Sequence, residues 1–92
     1  MILATVRVDE FDRFWSVFTT DGAEQRRKFG SRGAKVLRNS DDQHEVRVLF
    51  DWTREDYERF LQDPRTREVM AAAGLQGPPE HVVVDPVGDT DS

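Results

Sequence analysis

The sequence predicts an α+β domain in which four strands and two helical crossovers follow one another as βαββαβ. Three features predict it. Four segments carry β-branched residues in alternation, two segments carry aromatic residues at helical spacing, and the cluster Asn39-Ser40-Asp41-Asp42 is the turn chemistry of a hairpin between the middle two strands.

Residues 1–8 form the first strand, with Ile2, Ala4, Val6 and Val8 on one face and Leu3, Thr5 and Arg7 on the other. Asp9 then offers an N-cap, followed by Asp12 where a helix N-terminus favours acids. Phe11, Phe14, Trp15 and Phe18 make an i, i+3, i+4, i+7 stripe. Thr19-Thr20-Asp21-Gly22 interrupts this helix, Asp21 with Glu24 recaps a second piece, and Gly30 at C′ stops it after Phe29. A strand over 33–38 leads through the turn to a longer one over 44–52, where Val46, Val48, Phe50 and Trp52 alternate with Glu45, Arg47, Leu49 and Asp51. Thr53 caps the second crossover, whose apolar set is Tyr57, Phe60 and Leu61. Asp63-Pro64 restarts it as N-cap and N1, with Val69, Met70 and Ala73 inward and Gly74-Leu75 closing it. Gly77-Pro78-Pro79 links to a last strand over 81–85. Strands and helices in this order make a ferredoxin-like layer: an antiparallel sheet of order 4-1-3-2 with both crossovers on one face.

Ninety-two residues hold one domain, expected over 1–87, with a polar, disordered tail at 88–92. The formal charge of −5 works against binding nucleic acid or an anionic membrane. No apolar run is long enough to span a bilayer. The first residues already read as strand and not as a leader, so a cytoplasmic location is expected. Without cysteine there is no disulfide, thiolate nucleophile or thiolate-ligated metal. The spacings of serine hydrolases, zincins and phosphate loops are also missing.

The sheet face turned away from the helices is expected to carry Leu3, Thr5, Leu37, Arg47, Leu49 and Val83. Half apolar across a whole sheet, it calls for a cover. Hydrophobic residues make up only 37% of the chain, so a second copy is the expected one. The sequence thus predicts a homodimer joined sheet to sheet, with Arg7, Arg47, Glu45 and Asp51 available for ion pairs across it.

The hairpin run from Ser31 to Trp52 (SRGAKVLRNSDDQHEVRVLFDW), together with Phe60-Leu61-Gln62-Asp63-Pro64 and the segment Met70-Ala71-Ala72-Ala73-Gly74-Leu75-Gln76-Gly77-Pro78-Pro79, resembles the dimeric α/β-barrel proteins over about residues 1–86. The resemblance is to the branch of antibiotic biosynthesis monooxygenases and polyketide cyclases. That superfamily also holds muconolactone isomerase, haem-degrading enzymes and chlorite dismutases. It implies a barrel closed by two sheets at a dimer interface, and a small-molecule site between each sheet and its own helices. The cofactor-free monooxygenases carry Asn four residues before a Trp on this strand. Here Trp52 is present and position 48 is Val. Their second-helix His has no counterpart in residues 53–73.

His44, His81, Arg7 and Arg38 are the candidate catalytic groups, expected to gather at one end of the sheet. A histidine on the helix-covered face can move a proton. One that merely ends a hairpin bonds turn backbone or water. The histidines sit on strands about 10 Å apart, too far for one metal, so no metal ligand set is expected. Trp15, Phe18, Phe50, Trp52, Tyr57, Phe60 and Met70 are the candidate substrate-binding residues. The same side chains serve a core, but bulky rings around a cleft also suit a flat ligand. The Tyr57 hydroxyl and the indole N–H groups need partners when buried, and a ligand can supply them. Arg26-Arg27-Lys28 reads as a solvated helix face.

Two functions follow. The first is a small-molecule enzyme working without metal, flavin or other cofactor on a flat conjugated or enolisable substrate, as a cyclase, isomerase or cofactor-free oxygenase. In it His44 or His81 moves a proton and Arg7 or Arg38 stabilises an enolate. The second is a non-catalytic homodimeric module, binding a small ligand or filling a structural role.

Overall fold

A computed structural model describes all 92 residues. The elements are β1 (Ile2–Arg7), α1 (Phe11–Phe18), α2 (Asp21–Lys28), β2 (Ala34–Asn39), β3 (Asp42–Phe50), α3 (Arg54–Gln62), α4 (Pro64–Ala72) and β4 (Glu80–Val83). The fold is α+β and ferredoxin-like, with all strand pairs antiparallel and the order β2-β3-β1-β4 that the sequence predicts, read from the other edge.

Each crossover is broken where the sequence places a break. Thr19 and Thr20 turn their hydroxyls back onto the Trp15 and Ser16 carbonyls, at 2.8 and 2.7 Å, which closes the end of α1. Thr53 caps α3, its hydroxyl accepting the Asp56 amide at 3.1 Å. Asp63 caps α4, accepting the Arg65 amide at 2.8 Å with Pro64 in the first turn. Gly74 stops α4 at φ 78°. An added Cβ there would run into the Asp9 carboxylate, the end of a side chain that can turn aside, so it is the positive φ that favours glycine. Two caps differ from expectation. The residue before α1 is Glu10, with no side-chain bond, because Asp9 instead pairs with Arg13 at 3.1 Å. Thr20, not Asp21, precedes α2, also without a capping side chain.

Parity along β1 and β3 is as read. Ile2, Ala4, Val6, Val46, Val48 and Phe50 are buried under the helices, and Phe14, Tyr57, Phe60 and Ala73 close over them. Trp52 belongs to the same core but lies beyond the end of β3, in the approach to α3. On the opposite face Leu49 lies between Lys35 and Leu3, with Val82 beyond Leu3. In the next row Arg47 lies between Leu37 and Thr5.

Here β4 corrects the sequence reading. Val83 pairs with Ile2 on the helix-covered side, and Val82, paired with Leu3, takes its place on the open face. β4 starts at Glu80 opposite Thr5, because the end of β1 is already occupied. The Gln76 amide bonds the Arg7 carbonyl at 2.9 Å, and Val8 bridges Leu75. His81 therefore stands opposite Ala4, whereas His44 is level with Val8, its carbonyl accepting the Val8 amide at 2.8 Å. Four residues along the strand and two strands across put their backbones about 16 Å apart. The expected gathering of both histidines at one sheet end does not occur.

Residues 84–92 lie outside every helix and strand, and the last eight are exposed. No helix is long and apolar enough to cross a membrane.

Candidate ligand-binding cavity

Between the covered sheet face and the four short helices the core leaves a void of about 60 Å³. Its floor is Ala4 and Val6 of β1 with Val48 and Phe50 of β3. Its walls come from Phe14, Val17 and Phe18 of α1, Tyr57 and Phe60 of α3, and Val69 and Met70 of α4. Five of the expected ligand-contacting residues thus come together: Phe18, Phe50, Tyr57, Phe60 and Met70. Helical and strand parity found them because a covered sheet face and an inward helix face share the same interior.

The two indoles do not line the void. Trp15 lies on the outer edge of the α1 stripe, 46% exposed, nearly parallel to Phe11 and Phe18 with ring centroids 6.2 and 6.5 Å away. An eight-residue helix buries only the middle of such a stripe, here Phe14. Trp52 is wedged among Phe50, Tyr57 and Phe60, and its Nε1 is the only fully enclosed side-chain polar atom without a partner.

Arg26 and Tyr57 are the two residues with polar side chains among those that line the void. Tyr57 is 1% exposed, and burial pushes its phenol up to about 12, so it remains a neutral donor throughout the physiological range. No protein group bonds its hydroxyl, and that oxygen is not among the fully enclosed unpaired atoms, so it keeps access to open space. The His81 ring meets the Tyr57 ring edge-on at 4.9 Å. His81 faces an outer groove whose other walls include Met70, Leu75 and Pro79, and these three residues also line the void. The groove that His81 lines and the void that Tyr57 lines thus share these three residues, and the two rings touch.

The other three candidates stay at the far sheet end. His44 Nδ1 lies 2.9 Å from the Val8 carbonyl. Arg7 is on the open face and pairs with Asp42 at 2.9 Å. That bond, helped by the His44 amide, holds the Asp42 carboxyl below the usual carboxylate range. Arg38 lays its guanidinium over the Phe11 ring at 4.5 Å. No group of three His, Cys, Asp or Glu residues is placed to hold a metal ion.

Arg26 is the wall residue that the sequence reading assigned to solvent. It is 8% exposed. Its guanidinium donates to the Phe18 carbonyl at 3.0 Å and stacks over the Phe18 ring at 3.7 Å. Burial, and then the Arg27 charge, lower it to about 10. One signal was legible: Gly22, four residues earlier, is an unfavourable helix residue unless something must pass close to its backbone.

No family model matches the chain, and no curated protein does. Solved structures match over nearly its whole length. SnoaB, a cofactor-independent oxygenase from Streptomyces nogalater, aligns with a TM-score of 0.72 at 21% identity, covering 99% of this chain and 95% of that one. A monooxygenase from the gene ActVA-Orf6 of Streptomyces coelicolor, solved with the ligand nanaomycin D, aligns with a TM-score of 0.64 at 24% identity, covering 97% and 88%. A conserved protein from Methanosarcina mazei Go1 aligns with a TM-score of 0.64 at 13% identity, covering 88% and 85%. These likenesses establish the fold.

Proposed function

We propose that this chain is a small-molecule enzyme of the cofactor-free type, and that the void beneath its helices is the substrate site. The observation that carries the reading is the composition of that wall: thirteen of its sixteen residues are hydrophobic, and Tyr57 and Arg26 are the two with polar side chains. This is the pattern of a ligand site, in which apolar walls supply affinity and few polar atoms fix orientation. A flat conjugated or enolisable substrate would lie against Phe18 and Phe50. The neutral Tyr57 hydroxyl would donate to the substrate carbonyl oxygen and stabilise the enolate as it forms. His81, whose ring touches Tyr57 edge-on, would take the proton from the adjacent carbon where the substrate extends past Met70, Leu75 and Pro79 into the outer groove. The enolate would then cyclise, isomerise or meet oxygen. The likeness to a cofactor-independent oxygenase and to a monooxygenase holding an organic ligand supports the class of activity. We further propose that the chain works as a homodimer through the open sheet face, where Leu3, Leu49 and Val82 form an apolar row.

A second reading is favoured by size. About 60 Å³ is far below the roughly 300 Å³ of ordinary ligand pockets, and no histidine lines the void. On that reading the protein is a non-catalytic homodimeric module and the void is a packing defect.

A panel of phenols and enolisable aryl ketones, followed by thermal shift and by oxygen uptake in chelator-treated buffer, separates the two. The enzyme reading expects saturable stabilisation and turnover that Tyr57→Phe and His81→Ala each reduce by about a hundredfold, the scale of a single general acid–base or oxyanion group. A panel that neither binds nor turns over leaves the module.

A further inference from the structure

We infer that Arg26 is a ligand-binding residue, and that the occupant of the void carries a planar oxyanion, a carboxylate on an aromatic body. This deepens the proposed function and rests on the void being a ligand site.

Arg26 has no counter-ion. A buried arginine is ordinarily paired with a carboxylate, because an unpaired charge out of water is costly. Seven ion pairs decorate this chain, and Arg26 is in none of them. Of its five N–H donors one is used, on the Phe18 carbonyl. The aromatic face beneath it provides partial compensation, but no neutralising charge.

The guanidinium is also held in place. An added Cβ at Gly22 would meet Arg26 Nη1 at 3.1 Å and the Val17 carbonyl oxygen at 3.1 Å. The chain accepts glycine inside α2, against helix propensity, and the guanidinium occupies the space that this leaves. Gly22, Phe18 and Val17, the residues it sits among, are all lining residues of the void. Arg26 thus stands in the wall between the void and an outer groove that it lines with Arg27, Ser31 and Arg32. A fixed, planar fork of unused donors beside an apolar hollow is the complement of a carboxylate with a ring attached.

The test uses benzoate, the smallest aromatic carboxylate, and benzamide, its neutral counterpart of the same shape. Binding is followed on isotope-labelled protein by the arginine Nε–H resonances and by backbone amides around the void. The expected result is that benzoate shifts the Arg26 resonance and binds at least about tenfold tighter than benzamide, and that Arg26→Met abolishes this preference while Arg27→Met does not. Should Arg26→Met not fold, the wild-type preference and the Arg26 resonance decide the matter, with Arg26→Lys as the folded comparison. Equal binding of both probes in the void overturns the role of Arg26 and leaves the cavity reading standing. A preference lost in Arg27→Met but kept in Arg26→Met also overturns it, since that is surface attraction. If neither probe perturbs the void, both readings fall.

Discussion

The two faces of the sheet are made by the same strands, residue by residue in alternation, yet they differ in every physical respect. On the covered face Ile2, Ala4, Val48 and Phe50 are at most 6% exposed and surrounded by rings. On the open face Leu37 and Val82 are 47% and 56% exposed, and charged Arg47 and Lys35 stand among the apolar residues. The covered face is complete within one chain. The open face has no such cover, and its apolar residues stand among charges. Neighbours in sequence therefore meet different surroundings: Phe50 is buried under the helices, while Leu49 stands on the open face between Lys35 and Leu3.

The largest effect that sharpens this contrast comes from that pair. Phe50→Ala should lower unfolding stability by about 3–5 kcal/mol, whereas Leu49→Ala, measured where the chain is monomeric, should cost about 1 kcal/mol or less. Chemical denaturation of both variants measures it, and equal losses would erase the distinction between the faces. Next in size is Arg47→Glu, expected to weaken self-association by about tenfold through a like-charge contact with the acids of the facing sheet. Sedimentation at graded concentrations reports it, and an unchanged dissociation constant would mean that this face is not the interface.

Tyr57 gives a third test, because it is the chain's single tyrosine and its ionisation is read directly from ultraviolet absorbance. The midpoint should lie near 12 in the folded protein, against about 10 once unfolded. Between those values the unfolded chain has released the proton and the folded chain has kept it, so stability falls as pH rises through the window. Arg26 acts oppositely: lowered to about 10, its folded form sheds a proton before the unfolded form, and the strain of its burial is relieved. Tyr57→Phe should therefore remove a decline in alkaline stability. A midpoint near 10 in folded protein would show a hydrated phenol and an open wall. The smallest effect is at the caps: Thr53→Ala should cost about 1 kcal/mol, and Glu10→Ala, whose side chain caps nothing, should have no measurable effect on melting.

How much was legible in the chain depended on how local each cause is. The parity of β1 and β3, the Thr53 and Asp63 caps, the hairpin turn and the glycine stops are set by a few adjacent residues, and all stand where the sequence puts them. The placement of β4 is not local. It depends on how far Leu75 and Gln76 run alongside the end of β1 before the chain turns, and that shift moved Val83 across the sheet and separated His81 from His44. The rings Phe18, Phe50, Tyr57, Phe60 and Met70 were found because inward-facing side chains converge. Trp15 was misplaced because periodicity names a stripe and not its width. Arg26 was missed because charge was read without asking why a glycine stood one turn before it.

The broken crossovers have a mechanical meaning. The sheet is a single hydrogen-bonded plate, while what lies over the void is four separate rods joined at Thr19-Thr20 and at Asp63. Side chains tie the rods on opposite crossovers together: the Gln25 amide donates to Asp63 Oδ1 at 3.2 Å and Thr66 Oγ1 at 3.1 Å, Arg13 donates to the Ala72 and Ala71 carbonyls at 2.8 and 3.2 Å, and Arg65 pairs with Asp21 at 3.7 Å. Widening the hollow for a ring-sized guest therefore requires no strand to part. Two short rods tilt about their joints, a few side-chain bonds let go, and the plate beneath keeps the register that positions Phe50 against whatever enters.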